Sequence, residues 1–360
     1  MATLDPGQGI RTGLIGFGYA AKTFHAPLLT ATAGFRIELV ASRRPDEVAA
    51  AVPGAAVRAD PWAVATHEAV DLVVIASPND THAPLAEAAL RAGKHVVVDK
   101  PFTLTLAEAR HLAAIASGTG GLLSVFQNRR WDSDFLTVRR AIGAGALGQV
   151  ALFESRLDRF RPQVRDRWRE RAGPGAGLLY DLGPHLIDQA LVLFGVPENV
   201  EATLAQQRPK AQSVDYAHLV LRYGQRIVIL QASLLIAGGT ARFLVHGERA
   251  SLVKQKPDVQ EDQLRAGMVP GTDGWGVDPD DAILFDGASG RTQPVRAAAG
   301  DQRCYYAALR EALYGRGPNP VSPAQAVTVM AILGAAWRAH EEGRRIAPDL
   351  RDEERAAWAC

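Results

Sequence analysis

Over the first 125 residues, short unbroken apolar runs alternate with amphipathic stretches, and that rhythm predicts strands and helices in turn. Arg11–Gly16, Arg36–Ser42, Asp71–Ser77, His95–Lys100 and Leu122–Gln127 have strand length and are largely apolar. Such runs suit strands buried on both faces, as in parallel sheets. The stretch from Ala21 to about Thr30, then Pro45–Ala51, Thr81–Ala92 and Thr105 to about Ser117, read as the helices between them. Gly93 supplies a C-terminal stop. Pro101 has no N–H for a ladder and drives its predecessor extended, so the Val96-Val97-Val98 strand is expected to stop at Lys100. Strand, helix and short loop in this order predict a doubly wound parallel sheet.

The pattern changes after Gly148. Gln149–Phe160, Asp215–Tyr223, Gln225–Ile236 and Ala241–His246 are strand-like, with few helices between them and a hairpin turn at Tyr223-Gly224-Gln225-Arg226. Gly177–Phe194 reads as a helix with a break expected near Gly183-Pro184. Residues 256–300, rich in Gly, Asp and Pro, read as a long loop or hairpin. Amphipathic helices are expected at Gln302–Leu313 and Pro323–Glu342. The division predicted is 1–125, a doubly wound α/β domain, and 126–360, an α+β domain with a large, mostly antiparallel sheet.

Composition removes alternatives. A net charge of +1 leaves no electrostatic footprint for nucleic acid or an anionic membrane. No apolar run approaches membrane-spanning length. Cys304 and Cys360 fit neither a disulfide framework nor a zinc site, and no metal is expected. Met1–Gln8 lacks the apolar core of a secretory signal, so a reducing, cytoplasmic setting is expected.

The chemistry collects at strand ends. Gly16-Phe17-Gly18-Tyr19-Ala20-Ala21 follows a strand and opens a helix. Its first glycine allows the tight turn, its second lets backbone approach a pyrophosphate, and a small third residue permits packing. The second strand ends in Ser42-Arg43-Arg44, where an NAD enzyme usually carries an acid for the ribose 2′-OH. A hydroxyl and two guanidiniums suit a 2′-phosphate, so NADP is expected in preference to NAD. Ser77-Pro78-Asn79-Asp80-Thr81-His82 follows the third apolar strand, and Asn79 and His82 are candidates for the nicotinamide pocket; Asn79 or Asp80 also reads as a helix cap. Lys100, one of six lysines against thirty-four arginines, stands at the edge where open α/β sheets bind ligands. Asp181 and His185 are four apart and share one helix face, an arrangement for general acid–base work or for a surface pair. Asn128-Arg129-Arg130-Trp131-Asp132 and Arg165–Glu170 mix arginine with tryptophan, which suggests substrate-site walls, a subunit interface or a solvated face. Arg156, Asp158, Arg159 and Trp168 suggest a polyhydroxylated ligand.

These residues together resemble the Gfo/Idh/MocA family of nicotinamide-dependent oxidoreductases. The likeness rests on Asp99-Lys100-Pro101, where glutamate is commoner at the first position, and on Asp181 with His185. Gly16–Pro27 and Asn128–Asp134 look like the branch holding NADP-dependent scyllo-inositol dehydrogenases. The resemblance implies a Rossmann domain, a large sheet whose open face forms homodimers or homotetramers, and a nicotinamide between the domains. It adds Phe17, Tyr19, Ala20, Ser77, Pro78, Asp99, Lys100 and Asn128 to the cofactor residues. His185 would take the hydroxyl proton, Asp181 would orient it, and Lys100 would bond the reacting oxygen; Asp158 and Trp168 join them as substrate contacts. The activity implied is hydride transfer between NADP and a CH–OH group of a cyclic polyol or sugar, scyllo-inositol/scyllo-inosose first. The rivals are an NAD-retaining glycosidase of the same fold and a non-catalytic NADP-binding sensor.

Overall fold

The computed structural model describes residues 4–358, so Cys360 and the first three residues of Met1–Gln8 lie outside the described residues. The chain forms two compact units, and their boundary differs from a single cut at 125. Of the described residues, the first takes 4–128, 260–275 and 301–327; the second takes 129–259, 276–300 and 328–358.

The first unit is built on β1 (Ile10–Ile15), α1 (Ala26–Thr30), β2 (Phe35–Ala41), α2 (Pro45–Ala51), β3 (Ala56–Arg58), α3 (Pro61–Ala65), β4 (Leu72–Ile75), α4 (His82–Arg91), β5 (His95–Val98), α5 (Leu106–Thr119) and β6 (Leu123–Val125). Its parallel sheet has the order β3-β2-β1-β4-β5-β6. Every residue of β4 and β5 is buried, which is why their sequences lack polar alternation. Thr105 and Glu108 close a capping box that starts α5, and Gly120 in the left-handed region ends it. β3 and α3 were not legible as elements: each is under six residues and carries no clear period. The last strand segment ends at Val98, two residues short of Lys100, although the Asp99 N–H still bonds Ile75 O at 2.8 Å.

The second unit holds α6 (Ser133–Gly143), β7 (Val150–Arg156), α7 (Leu178–Phe194), β8 (Asn199–Ala205), β9 (Tyr216–Tyr223), β10 (Arg226–Ser233), β11 (Phe243–Gly247) and β12 (Ala250–Lys254). α8 (Gln260–Arg265) returns to the first unit; β13 (Ala282–Asp286) and β14 (Thr292–Val295) belong to the second. Thus part of 256–300 is the expected hairpin. The eight-stranded sheet runs β14-β13-β12-β11-β7-β10-β9-β8, antiparallel except for β7 beside β10. β9 and β10 alternate buried and half-buried positions, so one face meets the core. α7 packs on that core and is not broken at Gly183-Pro184. Leu182, Leu186 and Ile187 are buried on it, and this packing outweighs the hydrogen bond that Pro184 cannot donate.

α9 (Arg303–Leu313) explains why the chain returns to the first unit. Tyr305 and Tyr306 are fully buried there, their rings edge-on to each other; Tyr305 also meets Phe126 edge-on, and Tyr306 lies tilted against it. α10 (Pro323–Glu342) and α11 (Asp352–Ala356) follow. Among the described residues, no helix is long and apolar enough to cross a membrane.

Candidate active site

In the first unit, the carboxyl ends of β1, β2, β4 and β5 gather the expected cofactor residues. Gly16 has φ +88°, and a Cβ there would stand 2.9 Å from Ala76 O and the Ser77 backbone. Glycine is therefore required for the strand to turn beside β4. At Gly18 a Cβ would meet nothing within 4 Å, so the backbone faces open space. Ala21 is fully buried and packs at the third position. A π-helical turn, Ala21–His25, precedes α1. Glycine, open space and helix start fit a dinucleotide pyrophosphate. Phe17 is buried, while Tyr19 is exposed and donates to Glu261 at 2.7 Å; Ala20 caps the π turn.

Ser42 Oγ accepts the Arg44 N–H at 3.0 Å, and the Arg44 guanidinium donates to Phe17 O at 2.6 Å. That bond ties the end of β2 to the glycine loop. Lys22 and Arg44 both pair with Glu47, and Arg43 is exposed without an ion pair. Burial, then the neighbouring Arg44 charge, push the Lys22 ammonium below its ordinary value. Lys22, Arg43 and Arg44 against Asp46 and Glu47 leave this strand end with a net positive charge. Lys22 was not among the expected site residues; its place one helical turn beyond Gly18 was the available signal.

Beyond β4, Ser77 Oγ and Thr81 Oγ1 are 2.6 Å apart, Pro78 is exposed and Asn79 is 3% exposed. His82 is buried, and both ring nitrogens meet backbone: Nδ1 is 2.8 Å from Pro101 O and Nε2 is 3.0 Å from Ser77 O. Its polar atoms thus engage the scaffold. Asp99 is buried, and its Oδ1 accepts the Lys100 N–H at 2.8 Å. Burial alone would raise this carboxyl; the nearby His25, with the charges of Lys100 and His82, outweighs it and holds it low. Lys100 itself is half-buried, and Asn128 is buried. His25, missed as a site residue, is fully buried with Nδ1 2.6 Å from the Tyr306 hydroxyl.

In the second unit, Asp181 lies in the first turn of α7 and His185 one turn on, 4% exposed. Arg169 Nε stands 3.6 Å from Asp181 Oδ1, and the Arg169 guanidinium lies 4.4 Å from the Trp168 ring centroid. Trp168 is partly exposed. Asp158 Oδ2 accepts from Gln231 and Thr240 at 3.0 and 2.8 Å, whereas its buried Oδ1 has no hydrogen-bond donor.

The 128–132 segment is tied into the protein and not simply solvated: Arg130 binds Asp188 through two contacts of 2.8 and 2.7 Å, and Arg129 binds Asp132 at 3.0 Å. Nearby, Asp134 takes Arg242 at 2.9 Å with both side chains almost fully buried. Apolar periodicity gives no signal for such pairs.

Residues 10–127 match the model of an oxidoreductase family's NAD-binding Rossmann fold, and residues 139–347 match that family's C-terminal alpha/beta domain. The chain is 52% identical to the uncharacterized oxidoreductase YdgJ of Escherichia coli, covering 91% of this chain and 95% of that one. It is 36% identical to the scyllo-inositol 2-dehydrogenase (NADP(+)) IolW of Bacillus subtilis, covering 94% and 95%. A crystal structure of an oxidoreductase from Bacillus cereus, 30% identical, superposes with a TM-score of 0.86 over 95% of this chain and 99% of that one. A Rossmann unit with Gly16 and Gly18 in its first turn, followed by a sheet unit matching the family's second domain, makes the chain an oxidoreductase of the Gfo/Idh/MocA family.

Proposed function

We propose that this chain is an NADP-dependent dehydrogenase or reductase that interconverts a secondary alcohol and a ketone on a cyclic polyol or sugar. The observation that carries the proposal is Lys100: a half-buried ammonium at the carboxyl end of β5, in the same sheet as the glycine turn. Bound nicotinamide supplies or accepts the hydride. Lys100 donates a hydrogen bond to the reacting oxygen and favours its alkoxide character. His185 takes the hydroxyl proton in oxidation and returns it in reduction, with Asp181 orienting the ring and favouring its charged form. Asp158, with a buried oxygen lacking a donor, and Trp168 hold the hydroxylated ring. Ser42, Arg43 and Arg44, joined by Lys22, bind the 2′-phosphate. The glycine loop, Phe17, Tyr19, Ala20, Ser77, Pro78, Asn79 and Asn128 frame the remainder of the cofactor.

The relative acting on scyllo-inositol with NADP(+) makes that polyol the first compound to assay. Inositols, aldoses and keto-sugars are offered to the purified protein while the NADPH absorbance band is followed. The expected result is turnover of a cyclic polyol or its ketone with NADP at higher efficiency than NAD. Turnover of glycosides without net change in NADPH would replace this reading by the glycosidase one. The open sheet face carries half-exposed Val220, Ile227 and Ile229 and exposed Ile283 and Phe285, which supports self-association through it.

A further inference from the structure

The side chains packed around the Lys100 backbone are titratable, buried and held by short contacts. His82 opens α4 with its ring 1% exposed. Its Nδ1 faces the Pro101 carbonyl oxygen at 2.8 Å and its Nε2 faces the Ser77 carbonyl oxygen at 3.0 Å. A carbonyl oxygen only accepts, so each nitrogen must donate to make its bond. A neutral imidazole has one N–H and would aim a ring lone pair at one of these oxygens. Only the imidazolium satisfies both.

The position does not favour a cation by itself. It is buried, and it is the first residue of a helix, where the backbone dipole is positive. A countercharge is needed, and Asp99 provides it. The Asp99 carboxylate is buried, interacts electrostatically with His82, Lys100 and His25, and accepts the Lys100 N–H. His25 Nε2 stands 3.9 Å from the same Asp99 oxygen and makes no hydrogen bond, while Tyr306 meets His25 from behind. Asp99, His25, Lys100 and Tyr306 are the charged and titratable groups gathered here.

We infer that His82 is a positioning residue held as an imidazolium, which clamps the backbone beyond β4 to the backbone beyond β5 and so fixes where Lys100 stands. Asp99 is its buried counterion. The kinetic consequence rests on the proposed role of Lys100; the protonation state does not.

Long-range 1H–15N NMR on full-length protein labelled at histidine reads the ring directly and needs no substrate. Both His82 nitrogens are expected to carry protons from about pH 6 to about pH 8, with exposed His111 as internal reference; a neutral tautomer at neutral pH overturns the inference. In Asp99→Asn, His82 is expected to turn neutral, and two retained protons would remove Asp99 as the counterion. His82→Gln keeps a donor and loses the charge. It is expected to lower kcat roughly 10- to 100-fold, with KM and the NADP dissociation constant within about twofold, because about 1 Å of misplacement costs that much. Unchanged kcat would remove the positioning role. If no substrate turns over at all, the functional reading fails while the NMR result stands on its own. If substrate turns over and the ring is neutral, this inference fails alone.

Discussion

The two sheets solve the problem of burial in different ways. In the six-stranded sheet, β4 and β5 are buried throughout and apolar except at His95, and charges stand at or just beyond strand ends: Arg11 with Asp71, Arg43 and Arg44 after β2, Lys100 after β5. In the second unit, ion pairs run through the interior: Arg242 with Asp134, Arg130 with Asp188, Arg208 with Asp215. A charge at the end of an apolar strand stands out in the sequence, whereas a buried pair such as Asp134 with Arg242 joins residues 108 positions apart.

Removing one member of a buried pair and one of an exposed pair should have very different consequences. Arg242→Ala leaves the Asp134 charge buried, and is expected to destabilise the protein by about 3–5 kcal/mol in urea unfolding. Arg11→Ala opens a half-exposed pair and should cost at most about 1 kcal/mol. Equal losses would abolish the distinction between the two units.

Next in size are the catalytic proposals, one from each unit. Lys100→Met is expected to lower kcat about 10²- to 10³-fold, the scale of losing a donor to a developing oxyanion, with cofactor affinity largely kept. For His185→Ala, the pH–rate profile should lose the limb reporting its proton transfer. Unchanged turnover in the first variant, or a retained limb in the second, counts against the corresponding role.

His95, at the start of β5, is the one polar residue of β4 and β5, and its burial makes it sensitive to pH. Burial pushes its imidazole down to about 4 from an ordinary 6.5, and Nδ1 accepts the Leu122 N–H at 3.0 Å as a neutral ring can. Because the folded pKa lies below the unfolded one, the unfolded chain binds this proton first as pH falls. The stability from neutral His95 is therefore complete above about pH 6.5 and is lost towards about pH 4, by up to about 3 kcal/mol. His95→Gln should flatten that part of the stability–pH curve; an unaltered slope would place the acid sensitivity elsewhere.

These contrasts explain what could be read beforehand. The βα rhythm, the Gly16 turn and the strand carrying Lys100 were legible because backbone geometry and burial on both faces constrain residue type locally. α2 was predicted at Pro45–Ala51 and found there, since proline and acids mark its first turn. α7 ran through Pro184 because its core contacts are long-range, and the return of α9 to the first unit depends on Tyr305 and Tyr306 meeting Phe126. His25 was passed over for the same reason: its partners, Asp99 and Tyr306, lie 74 and 281 positions away in sequence.

The smallest expected effect concerns the positive end of β2. Arg44 already donates to Phe17 O and pairs with Glu47, and Lys22 pairs with Glu47 as well, so both are partly committed to holding the loop. Arg43 is exposed and makes no ion pair, which leaves its guanidinium available to a 2′-phosphate. A charge-assisted hydrogen bond at an exposed position is worth roughly 1.5 kcal/mol, so Arg43→Ala should raise the KM for NADP about tenfold and leave that for NAD nearly unchanged. Arg44→Ala should raise both, because it also loosens the glycine loop. If Arg43→Ala weakens NAD as much as NADP, the end of β2 is a structural corner like the buried pairs of the second unit, and its arginines do not read the 2′-phosphate.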